Sequence, residues 1–198
     1  MKLIKLLSKF HSFNDRESEA AFFLTNVPWV APQAYLNIIF KPAPTDALNH
    51  VKTALALPAS FCELLGSQNG AIMFSGALCI YGVHKPRQLL DRSNPFALPP
   101  FDIELENSNW PPDDAERLVA IGAYGADGSR VCMDRFKLHL ELWPREAPRL
   151  RSSPPLLWES LDQWILSEIP RLSMLFNETG KLLVADAETL PLQSRRPN

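Results

Sequence analysis

The residues of this chain that could bind a metal or act as nucleophiles are scattered along the sequence. The four histidines show no His-x3-His spacing and the three cysteines no Cys-x2-Cys spacing, the patterns that bring metal ligands together. Each cysteine stands among apolar neighbours, which is typical of buried free thiols in a reducing compartment. We therefore predict no metal site and no catalytic thiol. The residues concerned are His11, His50, His84, His139, Cys62, Cys79 and Cys132.

Other arrangements that would support catalysis are missing or badly spaced. No Gly-x-Ser-x-Gly motif occurs, and the glycine-rich segment 122–128 lacks a Lys-Ser/Thr ending and leads into a predicted strand. Asp127 and Asp134 are seven residues apart, or roughly 23 Å in an extended strand, too far for acid–base work at one bond. We interpret them as turn and strand-end aspartates. The sequence therefore favours a protein that is not an enzyme and holds no cofactor, with a small hydrolase or nuclease as a remote alternative.

An acidic stretch with an aromatic centre is the main candidate for a binding surface. Between Asp102 and Glu116 the sequence holds six carboxylates, no Lys and no Arg, with Trp110 in the middle. A charge run of this kind is usually a solvated face, and the alternative is a recognition surface for a basic partner. Tryptophans in proline-bounded loops also favour partner contact. The candidate contact residues are Trp29, Trp110, Asp113, Asp114 and Glu116.

Composition limits the class of protein. The chain has 198 residues, 46% of them hydrophobic, and its net charge is −2. This excludes a disordered chain, and the lack of a basic excess argues against nucleic acid as a partner. Apolar runs are too short to cross a membrane, and lysines interrupt the N-terminal apolar stretch where a secretory signal needs continuity. We therefore predict a cytoplasmic protein with no membrane or nucleic-acid partner.

The first half of the chain predicts short helices and strands punctuated by prolines. Residues 1–26 suggest two helical pieces, and residues 35–40 show the apolar pattern of a strand. Helices are predicted over 46–57 and 58–69, the second of which ends at an Asn-Gly step. The proline-rich residues 86–112 are predicted to be a long irregular connection.

Most of the remaining chain predicts an antiparallel sheet closed by one amphipathic helix, which is an α+β pattern. A turn at Asp127-Gly128 links two of the strands. The helix begins at Ser160, which forms a capping box with Gln163, and we expect Pro170 to kink or split it. The predicted strands are 71–74, 77–81, 118–124, 130–134, 138–143 and 181–185. The predicted core between sheet and helix is Ile121, Val131, Leu140, Leu161, Trp164 and Leu172.

The order and spacing of these motifs resemble the SUKH superfamily of Smi/Knr-type domains. A Leu-Pro pair before an aromatic-bearing helix, an Asn-Gly step into the sheet, a central hairpin and a closing helix follow one another. The proline-rich insertion over 86–112 and Pro170 depart from the pattern of that family. The residues that carry the resemblance are Leu57-Pro58, Phe61, Asn69-Gly70, Ile121-Gly122, Asp127-Gly128, Asp134 and the segment from Trp158 to Gly180.

The resemblance implies an α+β, SUKH-like fold with a largely antiparallel mixed sheet, flanking helices and a long closing helix. We assign residues 45–185 to this domain, 1–44 to an N-terminal extension and 186–198 to a mobile tail. The resemblance also implies a non-enzymatic binding protein, in bacteria an immunity protein that neutralises a toxin, often a nuclease, by direct binding. A basic toxin domain would complement the acidic stretch. The alternative is a regulatory or scaffolding module with an endogenous protein partner.

Overall fold

The structure is a computed structural model that describes residues 3–12, 15–29, 34–84, 98–109, 115–144, 156–185 and 187–191. In these residues nine strands form one sheet, and each strand pairs antiparallel with the next one along the chain. This is the pairing that short, turn-linked strands favour. The strands are Arg16–Glu17 (β1), Ala21–Asn26 (β2), Tyr35–Phe40 (β3), Ala71–Met73 (β4), Leu78–Ile80 (β5), Leu118–Tyr124 (β6), Arg130–Asp134 (β7), Leu140–Trp143 (β8) and Leu157–Trp158 (β9).

Five α-helices and one short 3-10 helix, Ser8–Phe10, accompany the sheet in the described ranges. The predicted α+β class and the antiparallel sheet are therefore confirmed. No helix in these ranges is both long enough and apolar enough to span a bilayer. The α-helices are Leu3–Leu6 (α1), Thr45–Ala54 (α2), Ala59–Ser67 (α3), Ile103–Ser108 (α4) and Leu161–Ser173 (α5).

Two contacts of strand β6 identify the helices that cover the two faces of the sheet. Gly122 lies against α5, because a Cβ atom there would be 3.0 Å from the Trp164 indole. The next residue, Ala123, pairs with Arg130 of β7, whose guanidinium is 2.5 Å from the Glu106 carboxylate of α4. Successive residues of a strand face opposite sides of the sheet. Helices α5 and α4 therefore lie on opposite faces.

The closing helix α5 follows the sequence pattern in its cap and its buried face. Ser160 Oγ accepts a hydrogen bond from the Gln163 N–H at 3.1 Å, which confirms Ser160 as the N-cap. The predicted capping box is not complete, because Gln163 Oε1 accepts the N–H of Glu159 instead of that of Ser160. Pro170 does not split the helix, which continues to Ser173. The N–H that proline lacks would have bonded the carbonyl of Leu166, an exposed residue that water can reach. The predicted core residues share one buried cluster, as expected: Ile121, Val131, Leu140, Leu161, Trp164 and Leu172.

The second half of the first 26 residues forms strands, and the predicted helical piece there is wrong. Arg16–Glu17 and Ala21–Asn26 are β1 and β2. Strand β2 pairs with β3 over most of its length, with Phe23 opposite Ile38. This pairing buries side chains that a short isolated helix would leave in water, so tertiary contacts override the local pattern.

The described part of the predicted extension 1–44 shares the sheet and the core with the rest of the chain. Ile38 of β3 pairs with Ile72 of β4, so the sheet continues without a break. Leu3 and Leu7 are buried in the same cluster as the residues of α5. The division into domains stays a prediction, and most of the tail 186–198 lies outside the described residues.

Part of the acidic stretch is a helix, and the predicted irregular connection is wrong over these residues. Ile103–Ser108 form α4, and Ile103 is buried in the core. Asp102 caps the helix, because its Oδ1 accepts a hydrogen bond from the Glu104 N–H at 2.9 Å. A good N-cap followed by acidic residues in the first turn stabilises a short helix among prolines.

Candidate functional site

Trp29, one of the predicted contact residues, borders an open groove of about 570 Å³. Its side chain is 55% exposed, although large apolar residues are usually buried. Four turns meet at the groove: those after β2, between β4 and β5, after β6 and after α5. Its aromatic and aliphatic lining includes Trp29, Phe74, Phe176 and Leu182. Such a volume and lining are typical of sites that bind small ligands or short peptide segments.

One wall of the groove is a turn with an unusual backbone. Phe74, Ser75 and Gly76 have φ values of +55°, +56° and +88°. The left-handed conformation costs a residue other than glycine roughly 1–2 kcal/mol. The Phe74 N–H donates to Asn37 Oδ1 at 3.0 Å, and the Ser75 N–H donates to a carbonyl of β3 at 2.8 Å. The rest of the fold therefore holds this turn in a shape that it would not adopt alone, as occurs at many binding sites.

Lys181 lies over the exposed indole of Trp29. Its Nζ is 5.3 Å from the ring centroid, a cation–π distance. Gly180 makes this placement possible, because its φ is +79° and a Cβ atom there would be 2.6 Å from Val27. Asn177 Oδ1 accepts the Lys181 N–H at 2.9 Å and thereby fixes the turn. The backbone at Lys181 is therefore fixed in a position from which the lysine side chain reaches the Trp29 ring.

The segment that follows Lys181 leaves apolar side chains exposed. The predicted strand over 181–185 is wrong, because Leu182 makes one isolated bridge with Phe176. Leu183 and Val184 are exposed. Since Leu182 lines the groove, its two neighbours extend the apolar surface beside it.

A buried polar network connects another wall of the groove to the closing helix. Glu168 of α5 accepts hydrogen bonds from Tyr124 Oη and from Arg171 Nη2, both at 2.7 Å. Arg171 Nη2 also donates to the carbonyl of Thr189 at 2.7 Å, and Thr189 lines the groove. Burial, together with the charge of Glu168, raises the pKa of Tyr124, so its hydroxyl stays a neutral donor. These bonds attach the segment 187–191 to α5.

A second cluster of polar side chains joins β6, β7 and β8. Arg117 Nη1 lies between two carboxylates, 2.8 Å from Asp134 Oδ2 and 2.6 Å from Glu141 Oε1. His139 Nε2 is 2.8 Å from the same Glu141 oxygen, and Trp143 Nε1 donates to the other oxygen at 2.8 Å. Asp134 is 0% and Glu141 3% exposed, so both charges depend on these partners.

Burial by itself raises the pKa of both carboxyl groups, but hydrogen bonds to the charged forms outweigh it. The Lys137 N–H and the Arg117 guanidinium lower the pKa of Asp134 from 3.8 to about 2. Hydrogen bonds from Arg117 and His139 lower the pKa of Glu141 below 4.5. Both groups are therefore carboxylates at neutral pH.

The donor atoms around Arg117 are spaced as in a metal site, but they are already engaged by other partners. Donor atoms of Asp134, His139 and Glu141 all lie within 4.8 Å of one another. However, Arg117 lies between the two carboxylates, and the other oxygen of Asp134 accepts two backbone N–H groups at 2.8 and 2.7 Å. A metal ion would have to displace Arg117. We interpret the cluster as an ion-pair network that holds three strands together, with Asp134 at the strand end as predicted.

We expect the protein to lose stability as the pH falls from about 4 to about 2, because Asp134 takes up a proton there. Folding lowers this pKa, so its stabilising effect is complete above the unfolded value near 3.8 and disappears as the pH falls through about 2. This shift of the Asp134 pKa on folding corresponds to roughly 2 kcal/mol of stability. Urea unfolding of the parent and of Asp134→Asn across this range measures it. The parent should lose more stability than the variant, and parallel curves would contradict the prediction.

The described contact residues do not lie on one surface. Glu116 is exposed in the turn before β6, whereas Gly125, which lines the groove with Trp29, follows β6. The strand is seven residues long, so its two ends are roughly 20 Å apart. Trp29 and Glu116 therefore belong to different surfaces. Outside the described residues lie Trp110, Asp113 and Asp114.

Sequence reasoning missed several residues of both sites. Phe74, Phe176 and Lys181 line the groove but come from three separate segments, so no local spacing relates them. The network around Arg117 had one available signal, the carboxylate of Glu141 inside an otherwise apolar strand. A buried charge of this kind requires a partner, but the sequence does not say which one.

Comparisons of the chain with models of protein families, with curated proteins and with solved structures find no match. The resemblance to SUKH domains therefore stays a prediction from the sequence. The structure itself shows two candidate sites: a groove beside the exposed Trp29 at one end of β6 and a buried ion-pair network at the other.

Proposed function

We propose that this protein is a cytoplasmic, non-enzymatic binding protein that acts by direct contact with a protein partner. The observation that carries the proposal is the exposed Trp29 beside a groove, with the apolar residues 182–184 left uncovered. Exposed aromatic and aliphatic side chains around a preformed groove are typical of protein-binding surfaces. The most concrete role is that of an immunity protein of the SUKH type, which neutralises a toxin by binding it.

The chemistry of the described titratable groups supports binding more than catalysis. The three cysteines are buried and free, as predicted. Burial raises the pKa of the Cys79 thiol to about 12, so it stays protonated and a poor nucleophile. The carboxylates of Asp134 and Glu141 are both paired with Arg117. A catalytic group needs a reactive form at an accessible cleft, whereas these groups are engaged in the interior.

The acidic stretch 102–116 stays a second proposed contact surface, suited to a basic toxin domain. Glu116 is exposed at its end and is free to steer such a partner by charge. Asp102 caps α4, and Glu106 forms an ion pair 2.5 Å from Arg130. Fewer charges are therefore available for recognition than the count of carboxylates suggests.

Replacing Trp29 by alanine should weaken partner binding by roughly thirtyfold or more, the cost of removing an aromatic anchor. Thermal stability should change little, because the side chain is 55% exposed. The measurement is affinity capture with the tagged full chain from the native organism. It is followed by Kd determination for the captured partner with the parent and the variant.

The matched control is Phe136→Ala. Phe136 is 77% exposed in the turn between β7 and β8, at the opposite end of the sheet from the groove. This variant should bind like the parent, and equal affinity of the parent and Trp29→Ala would contradict the groove as contact surface. Expression of the captured partner then separates the roles. A partner that stops growth alone, and is harmless with this protein, supports immunity; a harmless partner favours the regulatory or scaffolding alternative.

A further inference from the structure

Two of the described lysines that lie over an aromatic ring, Lys41 and Lys181, differ in ion pairing. Lys41 Nζ is 5.2 Å from the Phe22 centroid and forms a 2.7 Å ion pair with Glu17. Lys181 Nζ is 5.3 Å from the Trp29 centroid, and no Asp or Glu is among the described residues that line its groove. The groove therefore presents a positive charge for which its described walls supply no carboxylate.

The backbone that carries Lys181 is fixed before any partner arrives. Asn177 Oδ1 accepts the N–H groups of Thr179 at 3.0 Å and of Lys181 at 2.9 Å, and the Gly180 N–H donates to the Asn177 carbonyl at 3.0 Å. The Trp29 ring supports the side chain from below. A lysine on a fixed backbone and against a ring loses less conformational entropy on binding than one on a freely moving loop does.

Apolar surface lies directly beside this cation. Leu182, which is 40% exposed, lines the groove next to Lys181. The rings of Phe74 and Phe176, which stack at 5.4 Å, form its buried floor. The walls thus pair one charge with a mainly aromatic and aliphatic surface. A ligand that matches both features has an apolar body and one negative group close to it.

We infer that the groove binds an extended, apolar segment of the protein partner that carries a carboxylate within two residues of an aromatic or aliphatic side chain. The apolar side chain packs against the exposed side chains of Trp29 and Leu182, and the carboxylate pairs with Lys181. This inference rests on the proposed function and specifies the chemistry of the partner. It holds for a basic partner too, because only the contacting segment has to be acidic.

The test uses the full chain, labelled with nitrogen-15, and two capped peptides, Ac-Ala-Leu-Glu-Phe-Ala-NH2 and the same peptide with Gln replacing Glu. Titrations followed at the indole N–H resonance of Trp29, assigned with Trp29→Phe, give both Kd values. We expect the Glu peptide to bind about fivefold more tightly, the effect of a partly exposed ion pair. Lys181→Gln should remove the preference. Lys41→Gln, which changes an already paired lysine over a ring, should retain it.

Equal affinity of the two peptides overturns the inference, and so does a preference that survives in Lys181→Gln. The absence of any Trp29 shift at millimolar peptide overturns it as well. Failure of the proposed function is a separate result, because it requires Trp29→Ala to bind the captured partner like the parent. If capture of the partner depends on Trp29 but the two peptides bind equally, the proposed binding function stands and the inferred carboxylate in the partner's segment is wrong.

Discussion

Replacing Trp164 by alanine is expected to lower the free energy of unfolding by about 3–5 kcal/mol. The indole is completely buried between α5 and β6. Its ring centroid lies 6.4 Å from that of Trp158, and its Nε1 donates to Tyr124 Oη at 3.2 Å. Truncation therefore removes apolar contacts, leaves a cavity and takes a donor away from a buried hydroxyl.

Urea unfolding followed by circular dichroism measures this loss. Trp29→Ala is the matched control, since it deletes the same atoms at an exposed position and should change stability by less than about 1 kcal/mol. Trp164→Phe keeps most of the ring and should fall between the parent and the alanine variant. If Trp164→Ala costs no more than Trp29→Ala, the packing of α5 on the sheet is wrong.

Replacing Arg117 by alanine is expected to cost about 3 kcal/mol at neutral pH, because it removes one partner of a buried pair and leaves the other charged. Asp134 and Glu141 would lose the guanidinium that lies between them at 2.8 and 2.6 Å. The Arg117 side chain is 31% exposed, so water partly screens its interaction with the two carboxylates. The expected loss of stability is therefore at the low end of the range for buried pairs.

The pH dependence of the Arg117→Ala cost identifies its origin. Without the guanidinium, burial raises the pKa of Asp134 and Glu141, so both take up protons at a higher pH than in the parent. The stability difference between parent and variant should therefore shrink as the pH falls below about 4. Arg16→Ala, which changes an exposed arginine in β1, is the control and should cost little. A cost for Arg117→Ala that stays constant with pH would assign the residue a packing role instead.

The elements whose signals lie in neighbouring residues could be predicted from the sequence. The N-cap Ser160 and the apolar face of α5 are confirmed, because cap and periodicity both appear within a few turns of chain. Strands Leu118–Tyr124 and Arg130–Asp134 have their predicted bounds. The Asp-Gly turn between them determines that hairpin locally.

Elements that depend on distant partners could not be predicted in this way. Strand β2 buries its side chains against β3, where the rings of Phe23 and Tyr35 lie 5.3 Å apart. Its short apolar run fits a helix equally well until that partner is known. Helix α4 was not predicted because it lies in a proline-rich segment, although Asp102 is a good N-cap residue.

The candidate sites were the least predictable part of the chain. The proline-bounded loop predicts Trp29 as a contact residue, but the other walls of its groove come from turns near residues 75, 125 and 181. Arg117 meets Asp134 and Glu141 from 17 and 24 residues away. No periodicity spans such separations, so only the fold shows that these side chains meet.

The outermost strands of the described sheet, β1 and β9, are two residues long. A strand from another chain could therefore form only a few main-chain hydrogen bonds at either border. Borders this short do not template the growth of fibrils from the native state, so concentrated solutions should stay free of cross-β aggregates. For the same reason, recognition by strand addition is disfavoured, and a bound protein must be held through side chains.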